Sequence, residues 1–278
     1  MRILRVVASF TAATALAAGT LFAASSASAT VTTAPPPSTM AALGDSITQA
    51  AMTCSALTSC PANSWSTGTT ASVQSHYVRL KARNAALVGY NDAVSGNASA
   101  QLPGQAAKAV SQGAQYVTIE MGANDACTST VAGMTPTATY QANVHNALAT
   151  LANSAAHPQI FVASVPSLLR MYNLSKNNAT ARFWWALFGT CKSMLANPTS
   201  TAAADVARRN AVEAQVVAYN AALAAECAAV ANCRFDANTV YNYPFTSSDI
   251  STRDYFHPSL IGQGHLAAIT WAASQWAS

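Results

Sequence analysis

The chain has 278 residues, 51% hydrophobic and 9% charged, with a formal net charge of +4. That length and apolar content allow a large buried core, which excludes a disordered protein and points to one globular domain. The basic residues are scattered apart from Arg79, Lys81, Arg83 and the pair Arg208, Arg209, so no stripe suited to nucleic acid forms. Those two groups read as solvated helix faces.

At the N-terminus Arg2 and Arg5 mark the start of an apolar run from Ile3 to Ala24, and Ala27-Ser28-Ala29 supplies small residues before a cleavage point. Residues 1–29 therefore read as a secretory signal peptide, and the protein as extracellular. A membrane anchor is the rival reading, but Thr11, Thr14, Gly19 and Thr20 interrupt the run, and no later stretch could span a bilayer. Cleavage removes two arginines from fourteen basic residues and leaves the ten acids, a charge of +2. Residues 30–38, TVTTAPPPS, form a polar, proline-rich leader, and the folded domain is expected over residues 39–278.

Four short apolar runs are expected as strands: Thr39 to Leu43, Ala86 to Val94, Gln115 to Met121 and Gln159 to Val165. Helical spacing fits Ser75 to Asn84, Pro103 to Ser111 and Pro136 to Ala155, then Thr201 to Val230 and Gly264 to Trp276. Strands alternating with helices indicate a parallel sheet covered on both faces, an α/β sandwich. Between the fourth strand and the alanine-rich helix lies a long insertion, about Ser167 to Ala204, carrying Phe183, Trp184, Trp185 and Phe188. It reads either as a lid or acyl-binding wall, or as a satellite core beneath a loop, the second being the commoner arrangement. Trp271 and Trp276 read as core.

All six cysteines follow the leader, an even number in an exported chain, so three disulfides are expected. Fifteen connectivities are open. Cys54 with Cys60 and Cys227 with Cys233 would close short loops and leave Cys127 to pair with Cys191. No C-x-x-C pair or cysteine–histidine cluster has zinc-ligand spacing, so no metal is expected.

In an open parallel sheet, ligands bind beyond the carboxyl ends of the strands. Polar clusters follow three of the expected strands: Gly44-Asp45-Ser46, Ser95-Gly96-Asn97 and Gly122-Ala123-Asn124-Asp125. A fourth, Asp254-Tyr255-Phe256-His257, lies near the C-terminus. Each alone reads as a turn or cap. Together they hold what acyl-ester hydrolysis requires. Ser46, at the mouth of a helix expected after the first strand, is the candidate nucleophile; His257 is the candidate base and Asp254 its orienting group. The backbone N–H groups of Ser46 and Gly96 and the side-chain amide of Asn124 are the candidate oxyanion donors. His76, His145 and His265 have no partner in the sequence and receive no catalytic role. Asn97-Ala98-Ser99 matches a glycosylation acceptor, a pattern frequent by chance.

These four blocks, Gly44-Asp45-Ser46, Gly96, Gly122-x-Asn124-Asp125 and Asp254-x-x-His257, resemble those of the SGNH, or GDSL-type, hydrolase superfamily over about 210 residues. The stretch Cys60 to Gly68 is similar to that of exported actinobacterial members. The resemblance implies a flavodoxin-like three-layer α/β/α fold, a nucleophile near the N-terminus and no cofactor. It implies an esterase or lipase acting on small-molecule or lipid esters, as a monomer. A polysaccharide O-deacetylase or a phospholipase would use the same residues, and an inert carbohydrate- or cell-wall-binding module is the non-enzymatic alternative.

Overall fold

The computed structural model describes residues 35–277; the expected signal peptide lies outside them. Pro37 is already buried, and the Ser38 N–H donates to Gln115 Oε1, so packing starts just before the first strand. The first half of the chain runs β1 (Thr39–Gly44), α1 (His76–Arg83), β2 (Val88–Asn91), α2 (Leu102–Ser111), β3 (Tyr116–Glu120), α3 (Ala123–Ala126) and α4 (Thr137–Ala152). The second half runs β4 (Gln159–Val162), α5 (Leu168–Ser175), α6 (Ala179–Phe188), α7 (Lys192–Leu195), α8 (Ala203–Ala228), β5 (Cys233–Phe235), α9 (Thr239–Asn242) and α10 (Leu260–Ala273).

The five strands form one sheet in the order β2-β1-β3-β4-β5, and every pairing is parallel. β1 and β3 are almost wholly buried, as strands covered on both faces must be. At one edge β2 leaves Val88 and Tyr90 exposed and is shorter than its apolar run suggested. The other edge, β5, escapes sequence reading because three residues, Cys233-Arg234-Phe235, show no periodicity.

Helix α4 packs on both α2 and α8, with the Tyr140 and Tyr219 rings of α4 and α8 stacked 4.2 Å apart. α1 and α10 meet through His76, whose ring nitrogens bond the Tyr116 and Thr270 hydroxyls at 2.8 and 2.9 Å. Burial, helped by the nearby Arg79 charge, lowers the His76 pKa to about 3, so this imidazole is a neutral core strut. Helices flanking a central parallel sheet make this the α/β sandwich expected of the sequence.

Two expectations need correction. No helix follows β1: residues 45–52 form consecutive turns, ended by Ala50 and Met52 at φ of 48° and 65°. Arg208 and Arg209 are not a solvated face. Arg209 is 5% exposed, and Arg208 donates to the carbonyls of Lys192, Ser193 and Ala196, closing the end of the insertion onto α8.

The insertion divides its aromatics by helical period. Ala181 and Trp185, four apart, face inward; Phe183, Leu187 and Phe188 are exposed, and Trp184 stacks on Phe188. Satellite packing thus describes Trp185 alone.

Candidate active site

The carboxyl ends of β1 and β3 deliver two of the sequence blocks side by side, because Gly44 pairs with Glu120 in the sheet register. Gly44 has φ of 149°, and a Cβ there would lie 2.2 Å from the Glu120 carbonyl oxygen, so no other residue fits. Two buried glutamines fix the turn that follows. Gln105 of α2 accepts from the Gly44 N–H and donates to its carbonyl, at 2.8 and 2.9 Å. Gln263 of α10 donates to the Ile47 carbonyl and accepts from the Trp65 N–H. Neither glutamine carries a local sequence signal, since each is polar only because a distant backbone needs partners.

Ser46 sits on this turn, 9% exposed. Its Oγ lies 2.8 Å from His257 Nε2, and His257 Nδ1 lies 2.5 Å from Asp254 Oδ2. The other carboxylate oxygen, Oδ1, accepts the N–H groups of Phe256 and His257. A carboxylate can only accept, so the Nδ1 proton points to Asp254 and Nε2 is left to accept the Ser46 hydroxyl. Burial opposes the charge on both partners, yet their mutual hydrogen bond and attraction outweigh it. The Asp254 carboxyl is held below, and the His257 imidazole above, its ordinary range. His265 and His145 also find carboxylates, Asp249 and Glu226, but on other surfaces without a serine partner.

The remaining blocks close around the serine. Gly96 has φ of 86°, a left-handed conformation that leaves its N–H, like that of Ser46, with no backbone or side-chain acceptor among the described residues. Asn124, the second residue of α3, donates from Nδ2 to the Asn97 carbonyl at 2.8 Å. Asp125 accepts from the Ser99 N–H and hydroxyl, at 2.8 and 2.6 Å, which ties the Gly96 segment to α3. Ser46, Gly96 and Asn124 thus bring three N–H donors to the cavity that the Ser46 hydroxyl also lines, a set of the kind that stabilises a tetrahedral oxyanion.

Ser46, Gly96, Asn124 and His257 line a cavity of about 530 Å³. Its walls come from two disulfide-bonded segments. Leu57 and Ser59 belong to the loop closed by Cys54–Cys60, and Cys127 and Cys191, bonded to each other, line the cavity as well. The Ser59 and Ser95 hydroxyls meet at 2.7 Å, joining the first loop to the Gly96 segment. The third bridge, Cys227–Cys233, links α8 to β5 away from the cavity. None of the four insertion aromatics lines the cavity, which takes only Thr190 and Cys191 from that region. Nor does it contain any lysine, arginine, aspartate or glutamate. Among the described residues no cluster of three metal-ligating side chains occurs and no helix is long and apolar enough to cross a membrane.

The fold is shared with proteins of very different sequence. An α/β hydrolase enzyme from the metagenome of Lake Arreo, Spain, is 15% identical, with a TM-score of 0.54 over 86% of this chain and 96% of its own. An acetyl xylan esterase from Geobacillus stearothermophilus is 14% identical, with a TM-score of 0.51 over 84% and 93%. A second acetyl xylan esterase is 15% identical, with a TM-score of 0.51 over 84% and 98%. No curated protein matches the chain. The profile of the GDSL-like lipase/acylhydrolase family does match, over residues 42–264, from the end of β1 into α10, a span that takes in all four blocks. Sequence and fold thus agree that this chain belongs to the GDSL-like lipase/acylhydrolase family and is a carboxylic ester hydrolase.

Proposed function

We propose that the protein is an extracellular serine esterase that cleaves uncharged carboxylic esters through an acyl-enzyme. The hydrogen-bonded chain from Ser46 through His257 to Asp254, facing three clustered donors, carries this reading. Ser46 Oγ attacks the ester carbonyl carbon while its proton passes to His257 Nε2. The carbonyl oxygen takes up the negative charge and turns to the N–H groups of Ser46, Gly96 and Asn124. Collapse expels the alcohol, which leaves with the proton from Nε2. Water then gives its proton to the same nitrogen and attacks the acyl group, releasing the acid and restoring the serine.

The uncharged lining supports the choice of substrate. Apolar wall residues such as Met52, Leu57 and Phe256 suit an acyl chain, while a phospholipid headgroup would find no cation in the cavity. Three disulfides agree with an oxidising, extracellular setting. The test is hydrolysis of an acyl series from acetyl to palmitoyl, beside acetylated xylan and a phosphatidylcholine. The reading expects turnover of neutral esters and labelling of Ser46 by a fluorophosphonate. Labelling elsewhere, or a preference for the phospholipid, would overturn it.

A further inference from the structure

Asp45 precedes the nucleophile and is wholly buried, a costly place for a carboxylate that does no work. Its two oxygens face different elements. Oδ1 accepts the Ile47 N–H at 2.9 Å and so closes the turn that carries Ser46. Oδ2 lies 3.5 Å from Asn124 Nδ2, the nitrogen that also donates to the Asn97 carbonyl at 2.8 Å. The Asn124 amide therefore has one hydrogen committed to the Gly96 segment and the other directed at Asp45. At 3.5 Å that second hydrogen is held weakly and can be given up to a nearer, stronger acceptor.

The geometry points to Asp45 as a positioning residue that aims the Asn124 N–H for the oxyanion and locks it to the nucleophile turn. This rests on the proposed oxyanion role of Asn124. An ionised carboxylate suits the position because both its oxygens accept. Burial pushes the Asp45 pKa up to about 7 against the Ile47 N–H bond and the His257 charge, so the positioning role belongs to the ionised form and is read above that pH. An asparagine of the same shape cannot replace it. If its oxygen faces Ile47, its NH₂ confronts the Asn124 NH₂; if it flips, the NH₂ confronts the Ile47 N–H. The first orientation keeps the 2.9 Å bond to Ile47 and gives up only the 3.5 Å contact, so it is the favoured one, and in it the amide of Asn124 must turn aside. Asp45 itself touches no reacting atom. Its contribution should therefore appear in turnover and not in substrate binding, and only while Asn124 is present.

A double-mutant cycle with Asp45→Asn and Asn124→Ala, read on kcat and KM with a soluble neutral ester, tests this. Asp45→Asn alone should lower kcat by about tenfold or more with KM within about twofold, the pattern of a lost transition-state interaction. In the Asn124→Ala background the same change should alter kcat by less than about threefold, since coupled residues do not act additively. Asp45→Ser provides a second route: its hydroxyl can still accept from the Ile47 N–H but is too short to reach Asn124. It should reproduce the loss with an unchanged melting temperature. Multiplicative losses, or an Asp45→Asn enzyme with wild-type kcat, would overturn the positioning role while leaving Asn124 as a donor. Full turnover in Asn124→Ala alone would remove the oxyanion reading itself, and the proposal with it.

Discussion

Replacing Asp254 by asparagine separates the orientation of His257 from everything else the carboxylate does. The asparagine oxygen can keep the two backbone N–H groups of Phe256 and His257 that Oδ1 now accepts, so the loop should survive. The NH₂ then faces His257 Nδ1 where an acceptor stood at 2.5 Å. Two donors cannot share that line, so the imidazole places its proton on Nε2 and no longer accepts from Ser46. Among the described residues Nδ1 has no second acceptor, and the expected loss in kcat is about 10⁴-fold, or ~5 kcal/mol of barrier. Stability should change as well. Asp254 titrates below 3.8, so its contribution to stability is present above that pH and is lost as the pH falls through the lower folded value. His257 titrates above 6.5, and the matching contribution is lost as the pH rises through its raised value. Steady-state kinetics at saturating ester would read the first effect, and urea melts at pH 3, 5 and 8 the second, the lowest pH reporting on Asp254 and the upper pair on His257. A loss of kcat under tenfold would refute the tautomer argument and mean that another group holds the ring.

Ser46→Ala should abolish turnover and fluorophosphonate labelling while the melt stays within a few degrees, because the side chain fills little volume and supports no other group. In a chemistry-limited assay kcat/KM should rise with pH through one ionisation above 6.5, since the base must be neutral and the Asp254 carboxylate, outweighing burial, makes His257 hold its proton more tightly than usual; a flat profile from pH 5 to 8 would count against His257. Removing the Cys127–Cys191 bridge, which joins residues 64 apart, should cost about 4 kcal/mol of stability in denaturant melts, and peptide mapping should recover all three pairings. Glu120 is buried with both oxygens unpaired among the described residues. Burial first, and then the Asp45 and Asp236 charges, push its pKa well above 4.5. It therefore favours the fold at low pH and progressively less as the pH rises, so Glu120→Gln should gain stability relative to wild type between pH 5 and 8.

Much of the site could be read from the chain because each block combines a backbone demand with a chemical one. Gly44, Gly96 and Gly122 stand where the backbone takes positive φ; Ser46 and Asn124 follow two residues after the first and the last, and His257 follows three after Asp254. The strands β1 and β3 were legible since strands buried on both faces are rich in apolar and β-branched residues, though β3 also buries Thr118 and Glu120. The turn after β1 was not: Ile47, Ala50 and Ala51 suit a helix, but the clamps from Gln105 and Gln263 and the left-handed Ala50 impose a tighter path. Tertiary contacts of that kind leave no local trace. The same holds for Arg209, whose charge suggested solvent; its guanidinium lies over the Tyr172 ring at 4.9 Å and donates to the Ser200 carbonyl. The outward rings of α6 show the converse limit, since aromatic content does not reveal which side of a helix faces in.

The clamps on the serine turn also bear on how the protein is made. Gln263 and His257 both lie more than 200 residues after Ser46 in the chain, so the nucleophile leaves the ribosome early and its base and one of its supports arrive last. Until α10 docks, Ser46 has neither a proton acceptor nor the partner that holds Ile47, and contacts so distant in sequence are slow to form. A partly synthesised or unfolded chain thus carries an ordinary, unreactive hydroxyl. On the proposed mechanism, hydrolytic power arises only once these distant contacts have formed.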